Sequence, residues 1–222
     1  MEWSALDLSL NLAFWTCVIL LPLAVLVGRA LAWNKFRGKA FVEAMVAVPL
    51  VLPPTVLGYY LILSLGETSS IGRFYEALTG HGLVFTFDGL LFASIIFNLP
   101  FAVQPMQRAF EAIPMNVREA AWCSGMSHWH TFWSIELPLA WTGILSALVL
   151  TFAHTLGEFG VVLMMGGNIP GETRTLSIAI YDRVQMFDFS SAGFMSAVLL
   201  SISVIAITFV YALGYRRQRH HA

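Results

Sequence analysis

The sequence predicts an all-α membrane protein, a polytopic helical bundle of about five transmembrane helices. The chain of 222 residues is 58% hydrophobic and 11% charged, whereas soluble domains carry about 25% charged residues. Its mean hydropathy is +0.74. A helix needs about 20 apolar residues to cross a bilayer, and five stretches without Asp, Glu, Lys or Arg come close to or exceed that length: 8–28, 44–66, 89–107, 137–157 and 189–215.

These stretches predict a single transmembrane domain over residues 1–222. No basic region precedes the first apolar stretch, so we expect a retained span and not a cleavable signal peptide. The expected spans are 8–28, 44–66, 89–107, 137–163 and 191–215, with the loop 108–136 between the third and the fourth.

The distribution of Lys and Arg predicts the orientation of the bundle. Nine of the twelve basic residues lie in the segments 29–43, 108–136 and 216–222. Positively charged segments stay on the cytoplasmic side, so we expect the N-terminus outside and the C-terminus in the cytoplasm of a multi-pass inner-membrane protein. With this orientation the net charge is +5 on the inner segments and −5 on the outer segments.

Composition excludes several other classes of protein. A net charge of −1 leaves no basic excess for a nucleic-acid binder, and the low charge excludes a disordered chain. Two cysteines cannot form a disulfide framework or a cysteine-based zinc site. His128 and His130 do not share a helix face, so we expect no metal site. No phosphate-binding glycine loop is present, so we expect no cofactor on this chain, and any energy must come from a partner.

The loop between the third and fourth stretches predicts two short helices. Pro114 and Asn116 are typical of a helix start, and Gly125 is typical of a left-handed residue that ends a helix. Ser127 is a suitable N-cap for the second helix, whose aromatic side chains suit the membrane interface. Pro138 suits the first turn of the next span.

The same loop contains a spaced motif. Glu119-Ala120-Ala121 is followed after three residues by Gly125, after nine more by Ile135, and then by Leu137-Pro138. This pattern, E-A-A-x₃-G-x₉-I-x-L-P, resembles without departure the signature of the permease subunits of binding-protein-dependent ABC importers. The resemblance implies that the loop 108–136 is a coupling helix that docks into a cytoplasmic ATPase. The alternative is an ordinary interfacial helical hairpin. The residues to which the resemblance assigns coupling are Glu119, Ala120, Ala121, Gly125, Ile135, Leu137 and Pro138.

Two further strings are similar to those of molybdate permeases, with tungstate and sulfate permeases close behind. One lies at 48–59 in the second span, and the other combines 157–160 with 167–175. The resemblance covers residues 5–215. It implies that a second permease copy, two ATPase subunits that carry ATP and Mg, and a periplasmic molybdate-binding protein work with this chain by alternating access. An outer face at −5 does not attract a free dianion, so we expect delivery by the docked binding protein.

The second span contains a cluster of prolines that predicts a bend. Pro49, Pro53 and Pro54 remove backbone donors, and broken helices at membrane depth occur where they pack in protein or line a cavity. Pro53, Pro54 and Thr55 are therefore candidates for the lining of a pathway. A packing kink in the bundle is the alternative.

The fourth span carries a polar stripe at helical spacing. Thr151, His154, Thr155 and Glu158 recur at i, i+3, i+4 and i+7. Polar groups within a span usually face the bundle interior or a cavity. Thr151, Thr155 and Glu158 are candidates for a gate or pathway wall, and a buried polar network is the alternative, favoured for His154.

The loop that follows the fourth span is the last candidate site. It contains a Pro-Gly turn and then hydroxyl and guanidinium groups, which are good ligands for a tetrahedral oxyanion. The functional interpretation is contact with a binding protein, and the alternative is a capped turn in which Arg174 pairs with Glu172 or Asp182. The candidate residues are Asn168, Glu172, Thr173, Arg174 and Thr175.

Two alternatives from other classes stay open at this point. A membrane anchor of an electron-transfer enzyme would need facing haem-ligating histidines, and only His154 lies in a span. An ion-coupled secondary carrier would normally show more spans or internal repeats. A haem spectrum tests the first, and independence from any ATPase would favour the second.

Overall fold

The computed structural model describes residues 2–219, with residues 215–219 described by their backbone alone. Within this range the chain is helical and contains no strand. The elements in chain order are α1 (Trp3–Trp33), α2 (Lys39–Val51), α3 (Pro54–Leu65), α4 (Ser70–Thr79), α5 (Phe87–Glu111), α6 (Met115–Cys123), α7 (His128–Thr131), a π-helix (Phe132–Glu136), α8 (Leu137–Leu139), α9 (Trp141–Gly157), α10 (Gly160–Gly166), α11 (Leu176–Gln185) and α12 (Phe189–Arg219).

The prediction of a helical membrane bundle is confirmed. Three helices of the described chain, α1, α5 and α12, are each long and apolar enough to cross a membrane. The number rises to five if each of two bent pairs is one span: α2 with α3, and residues 128–139 with α9. The sequence predicts the number of hydrophobic stretches, but it does not predict every position where the helices bend.

The second span is two helices instead of one bent helix. The axes of α2 and α3 meet at 115°, because Leu52 and Pro53 adopt extended backbone with ψ of 137° and 136°. Proline at 53 and 54 cannot donate the backbone hydrogen bonds that would continue a helix. Pro54 instead starts α3, where a missing N–H has no cost.

The fourth span is also interrupted, at both of its ends. Residues 128–139 meet α9 at 66° across Ala140. At the other end α9 stops at Gly157, and α10 starts at Gly160. The predicted continuous span over 137–163 is therefore one central helix flanked by two joints.

The centre of the bundle is formed by α1, α5 and α9, which pack against each other along their lengths. Small residues permit this approach. A Cβ on Gly143 of α9 would lie 2.3 Å from the Cβ of Ala109 on α5, and a Cβ on Gly28 of α1 would lie 2.7 Å from that of Met106. Side chains larger than hydrogen at these crossings would force the helices apart.

The two ends of this central bundle carry different elements. Because α9 has 17 residues, it spans about 25 Å at 1.5 Å per residue and separates the segment α6–α8, residues 115–139, from α10 and α11. The helices α3 and α10 pack on each other and on α5 at the second end.

The last helix, α12, lies on the outside of the fold. It packs against α9 and α11, and it exposes large apolar side chains such as Leu200, Ile205 and Phe209. An apolar surface of this kind is typical of contact with lipid or another membrane protein. The basic residues at 216, 217 and 219, which support the predicted orientation, are described by their backbone alone.

Candidate functional site

The segment α6–α8 has the local structure that its sequence predicts. Helix α6 follows Pro114 and ends at Cys123, two residues before Gly125, whose φ of +84° lies in the left-handed region. The Met126 N–H donates to the carbonyl of Ala121, which closes the end of the helix. The hydroxyl of Ser127 accepts from the His130 N–H at 3.2 Å and caps α7.

The motif residues of this segment divide between a free surface and a packed one. Glu119, Ala120 and Gly125 are exposed, whereas Ala121 is buried. Ala120 and Ala121 therefore lie on different sides of α6, because Ala121 turns towards the bundle. The exposed side of α6 is available for contact with another protein, and the other side ties α6 to its own chain. Of the remaining motif residues, Ile135 and Leu137 are half-buried and Pro138 is exposed.

A buried carboxylate holds the segment to the first span. Glu136 is fully buried in the π-helix, and the Nε of Arg118 on α6 donates to its Oε1 at 2.9 Å. The Nε of Arg29 on α1 donates to Oε2 at 2.7 Å. A buried carboxylate is tolerated only when it is paired and hydrogen-bonded, and here each oxygen has a guanidinium partner. We call these three residues the Arg–Glu–Arg cluster.

Aromatic rings enclose the two arginines of the cluster. The Arg118 guanidinium carbon lies 3.6 Å from the ring centroid of Trp33, at the end of α1, and 4.9 Å from that of Trp122 on α6. The Arg29 guanidinium carbon lies 5.3 Å from the ring of Phe132. Rings at this distance attract the cations, so the cluster joins α1, α6 and the π-helix as one packed unit.

The sequence reasoning missed this cluster. Glu136 occupies a variable position of the motif, between Ile135 and Leu137, and Arg29 is far from it in the chain. The available signal is a lone acidic residue directly beside an apolar span, since such a charge needs a partner. Which arginines supply the partner is decided by the tertiary structure.

The predicted pathway residues Pro53, Pro54 and Thr55 lie at the 115° joint between α2 and α3. All three are exposed. Pro54 also packs closely on α10, where a Cβ on Gly160 would lie 2.7 Å from the Cβ of Pro54. The joint between α2 and α3 is thus attached to the joint between α9 and α10.

The polar stripe of the fourth span is a buried network over most of its length. The amide of Asn98 on α5 donates to the hydroxyl of Thr155 at 3.1 Å and to the carbonyl of Ser94 at 2.8 Å. The Nδ1 of His154 lies 3.1 Å from the Asn98 side-chain oxygen. Thr151 is buried too, and its carbonyl accepts from Thr155. The contacts of Asn98 with Thr155 and His154 fix α5 against α9, whereas the hydroxyl of Thr151 has no hydrogen-bond partner in the described structure. Asn98 is the partner that the sequence reasoning missed.

Glu158 does not continue that stripe, which corrects the prediction of one helical row. Helix α9 ends at Gly157, and Glu158 has extended backbone with ψ of 134°. Its carboxylate turns to the next helix and accepts from the Val161 N–H at 2.8 Å. Its backbone carbonyl accepts from the Ser177 hydroxyl of α11. Glu158 therefore caps α10 and holds the joint of three helices.

The loop 166–175 is a packed turn. The hydroxyl of Thr173 is buried, donates to the carbonyl of Gly166 and accepts from the Ile169 N–H at 3.0 Å. Thr175 is buried and bonds to Ser177. Of the predicted contact residues in this loop, Glu172 is the exposed one.

Arg174 pairs with partners other than Glu172. Its Nε donates to the Asn168 side-chain oxygen at 2.7 Å, and it lies 3.6 Å from both Asp182 and Glu2. Glu2 in turn accepts from Arg183 at 3.0 Å. We call Glu2, Asn168, Arg174, Asp182 and Arg183 the loop network. It ties the start of α1 to α11, and it places two carboxylates beside Arg174.

A metal or haem centre finds no support among the described residues. No group of three or more His, Cys, Asp and Glu side chains in residues 2–219 is arranged to hold a metal ion. His154, which lies in a span, is stacked between Phe97 and Phe101, with ring centroids at 4.7 and 3.9 Å. Its ring is therefore engaged by the protein itself.

Comparison with known proteins gives a consistent result at the sequence level. Residues 21–220 match the family model described as binding-protein-dependent transport system inner membrane component. The chain is 43% identical to the molybdenum transport system permease protein ModB of Azotobacter vinelandii over 95% of this chain and 93% of that one. It is 38% identical to the ModB protein of Haemophilus influenzae, over 83% and 81%. A probable sulfate transport system permease protein of Chlorella vulgaris is 31% identical over 97% and 81%.

Solved structures show the same fold. A bacterial alginate ABC transporter in complex with an alginate-bound periplasmic protein contains a chain that aligns with a TM-score of 0.78 at 17% identity, over 96% of this chain and 78% of that chain. A chain of the inward-facing MetNI methionine ABC transporter aligns with a TM-score of 0.64 at 19% identity, over 100% and 94%.

Proposed function

The chain belongs to the family of binding-protein-dependent transport system inner membrane components, and from this premise we propose that it imports molybdate. It is the permease subunit of an ATP-driven ABC importer in the inner membrane, a transport component and not an enzyme. The observation that carries the substrate assignment is the 43% identity to a molybdenum permease over nearly the whole length of both chains. Sulfate permeases are similar at a lower identity of 31%.

The proposed complex contains two permease copies, two ATPase subunits that bind ATP and Mg, and a periplasmic molybdate-binding protein. The exposed side of α6, with Glu119 and Ala120, supports docking of an ATPase, because a short helix with a free face fits a groove on a partner. The large apolar surface of α12 supports contact with lipid or with the second copy. The solved alginate transporter with its periplasmic protein is a precedent for the binding protein.

The proposed orientation places α6–α8 in the cytoplasm and the loop 166–175 outside. The distribution of Lys and Arg supports it. With this orientation the N-terminus is periplasmic, and Glu172 is the residue of the loop that is exposed for contact with a binding protein.

In the proposed cycle, ATP binding closes the ATPase pair and moves α6 with it. The spans then change between inward-open and outward-open arrangements, and the anion passes without a continuous pore. The joints at Leu52–Pro53, Ala140 and Glu158 are proposed as the places where the chain bends, because the backbone departs from helical geometry at each of them. Pro53, Pro54, Thr55, Thr151, Thr155 and Glu158 remain our candidates for the gate and the pathway wall.

Reconstitution tests the proposal. The permease is inserted into liposomes with its ATPase and binding protein, and ATP-dependent uptake of radiolabelled molybdate is measured against tungstate or sulfate as competitor. We expect uptake that requires both the ATPase and the binding protein and that persists in an equal concentration of sulfate. Preferred uptake of sulfate would identify sulfate, and not molybdate, as the substrate. Uptake without an ATPase would contradict the proposal of an ATP-driven importer.

A further inference from the structure

The Arg–Glu–Arg cluster lies between the element that faces the proposed ATPase and the first span. Arg118 is on α6 and Arg29 is on α1, and both donate to the carboxylate of Glu136 in the π-helix. The motif of the loop contains neither arginine, and it leaves position 136 unspecified. Resting on the proposed function, we propose that this cluster makes α6 and the end of α1 move as one body, with Arg29 as the positioning residue that transmits the movement of α6 to the first span.

The first support is the geometry of the carboxylate. Each oxygen of Glu136 accepts from a guanidinium Nε, Oε1 from Arg118 at 2.9 Å and Oε2 from Arg29 at 2.7 Å, and Oε1 also accepts from Nη2 of Arg29 at 3.4 Å. Charge-assisted bonds of this kind are short and directional. Because Glu136 keeps Arg118 when the α6–α8 segment moves, a displacement that left α1 behind would break the bonds to Arg29 and leave that guanidinium, 31% exposed, without its carboxylate.

The second support is the unequal burial of the two arginines. The side chain of Arg118 is 9% exposed and that of Glu136 is 0% exposed, whereas that of Arg29 is 31% exposed. Arg118 and Glu136 therefore form a fixed pair within the α6–α8 segment. Arg29 is the attachment of that pair to α1, and it can be removed without leaving the buried carboxylate unpaired.

The third support is the backbone around the cluster. Glu136 ends a π-helix, an unusual element that often occurs at functional positions, and the backbone leaves helical geometry at Ala140 before α9. The segment is consequently joined to α9 through a bend of 66° and to α1 through side chains. A movement of α6 can change the angle to α9 while it carries α1 along.

The test compares three variants of two arginines in the complex of permease, ATPase and binding protein. Arg29→Gln removes the attachment to α1. Arg108→Gln is the matched control, because Arg108 also lies at this end of the bundle, is 82% exposed and pairs with Glu111 at 3.1 Å. Arg29→Lys keeps the positive charge near Glu136.

The measurement is the number of molybdate ions imported per ATP hydrolysed, which does not depend on how much complex is assembled. Loss of a hydrogen bond to a charged partner is expected to lower this ratio about fivefold or more for Arg29→Gln, with ATP hydrolysis retained. Arg29→Lys should restore most of the ratio, and Arg108→Gln should leave it unchanged. An unchanged ratio in Arg29→Gln overturns the inference.

A distance measurement separates transmission from a purely structural role. Spin labels are placed on the exposed native Cys123 of α6 and on Asn34→Cys at the end of α1, in a Cys17→Ala background with labelled copies diluted by unlabelled ones. In the chain that retains Arg29, we expect the same distance between the two labels without nucleotide and with trapped ATP. In Arg29→Gln, we expect this distance to differ between the two states. A distance between the labels that changes with nucleotide in the chain that retains Arg29 overturns the inference. Absence of uptake by the complex without substitutions counts against the proposed function instead, and the distances still test the movement.

Discussion

The two ends of the bundle both hold charged clusters, but they differ in burial. In the Arg–Glu–Arg cluster the carboxylate is 0% exposed and one arginine 9% exposed. In the loop network the paired side chains are 20 to 36% exposed, and Glu2 shares two arginines at 3.6 and 3.0 Å. A buried pair is costly to break because water cannot replace the lost partner, whereas a half-exposed pair can be replaced by water. The first end is therefore built to keep one geometry, and the second can change partners.

The largest expected effect is the removal of the buried carboxylate. Glu136→Ala leaves Arg118 buried and unpaired, and loss of one partner of a buried pair costs about 3 to 5 kcal/mol. The measurement is the free energy of unfolding in detergent, or the yield of monodisperse protein. The control is Glu111→Ala, which removes an exposed ion pair. Equal stability of the two variants would contradict the claim that a buried pair at this end costs more to break than an exposed pair.

The end of α6 gives the next effect, on activity more than on stability. Gly125 has φ +84° and open space where a Cβ would be, so a non-glycine residue costs about 1 to 2 kcal/mol of backbone strain. Gly125→Asp should insert normally but lose transport-coupled ATP hydrolysis, because the end of α6 shifts and a charge enters the proposed ATPase contact. Gly80→Asp, also at a left-handed helix end with open space, is the matched control on α4. Normal transport by Gly125→Asp would contradict the role of α6.

The buried amide in the bundle centre gives an intermediate effect. Asn98→Ala removes the donor to Thr155 and the partner of His154, and an unsatisfied buried group costs about 1 to 3 kcal/mol. Thermal unfolding in detergent measures the loss. Asn11→Ala on α1, whose exposed amide bonds to the carbonyl of Asp7, should change the midpoint much less. A similar loss in both variants would show that burial does not decide the cost.

The loop network gives a small, salt-dependent effect. Arg174→Gln removes ion pairs to Glu2 and Asp182, and partly exposed pairs contribute about 0.2 to 1 kcal/mol. We expect the loss of stability to shrink as salt is added, because salt screens exposed charges. Glu136→Ala should keep its full loss at high salt. A salt-independent loss in Arg174→Gln would mean that the two ends are alike.

The smallest effect is the pH dependence at the start of α12. The Ser191 hydroxyl and backbone N–H bond to Asp188, and these bonds, with the Arg183 charge, lower the pKa of the Asp188 carboxyl. A carboxyl whose pKa is lowered in the folded state stabilises the fold at pH values above its pKa in the unfolded chain. This contribution is lost as pH falls through the pKa of the folded state. Asp188→Asn should thus be slightly less stable than the unsubstituted chain at neutral pH and equally stable in acid. Thermal unfolding across pH measures this, and a difference that grows in acid would contradict it.

Much of the candidate site was predictable from local sequence. Gly125 and Ser127 end and start helices through their own backbone and side chain, so α6 and α7 are where the sequence predicts them. The row Thr151, Thr155 and Glu158 was predicted by helical spacing alone. It is wrong for Glu158, because Glu158 is extended and its carboxylate caps α10 instead.

The sequence by itself determined that this is a helical membrane protein with several apolar stretches long enough to be candidate spans, and that the motif loop forms short helices. Those properties depend on apolar length and on residues close in the chain. Only the tertiary structure decided that Glu136 pairs with Arg29 and Arg118, that Asn98 meets Thr155, and that α2 and α3 meet at 115°. The physical reason is that a buried polar group must find a partner, while its sequence position does not say which distant helix supplies one.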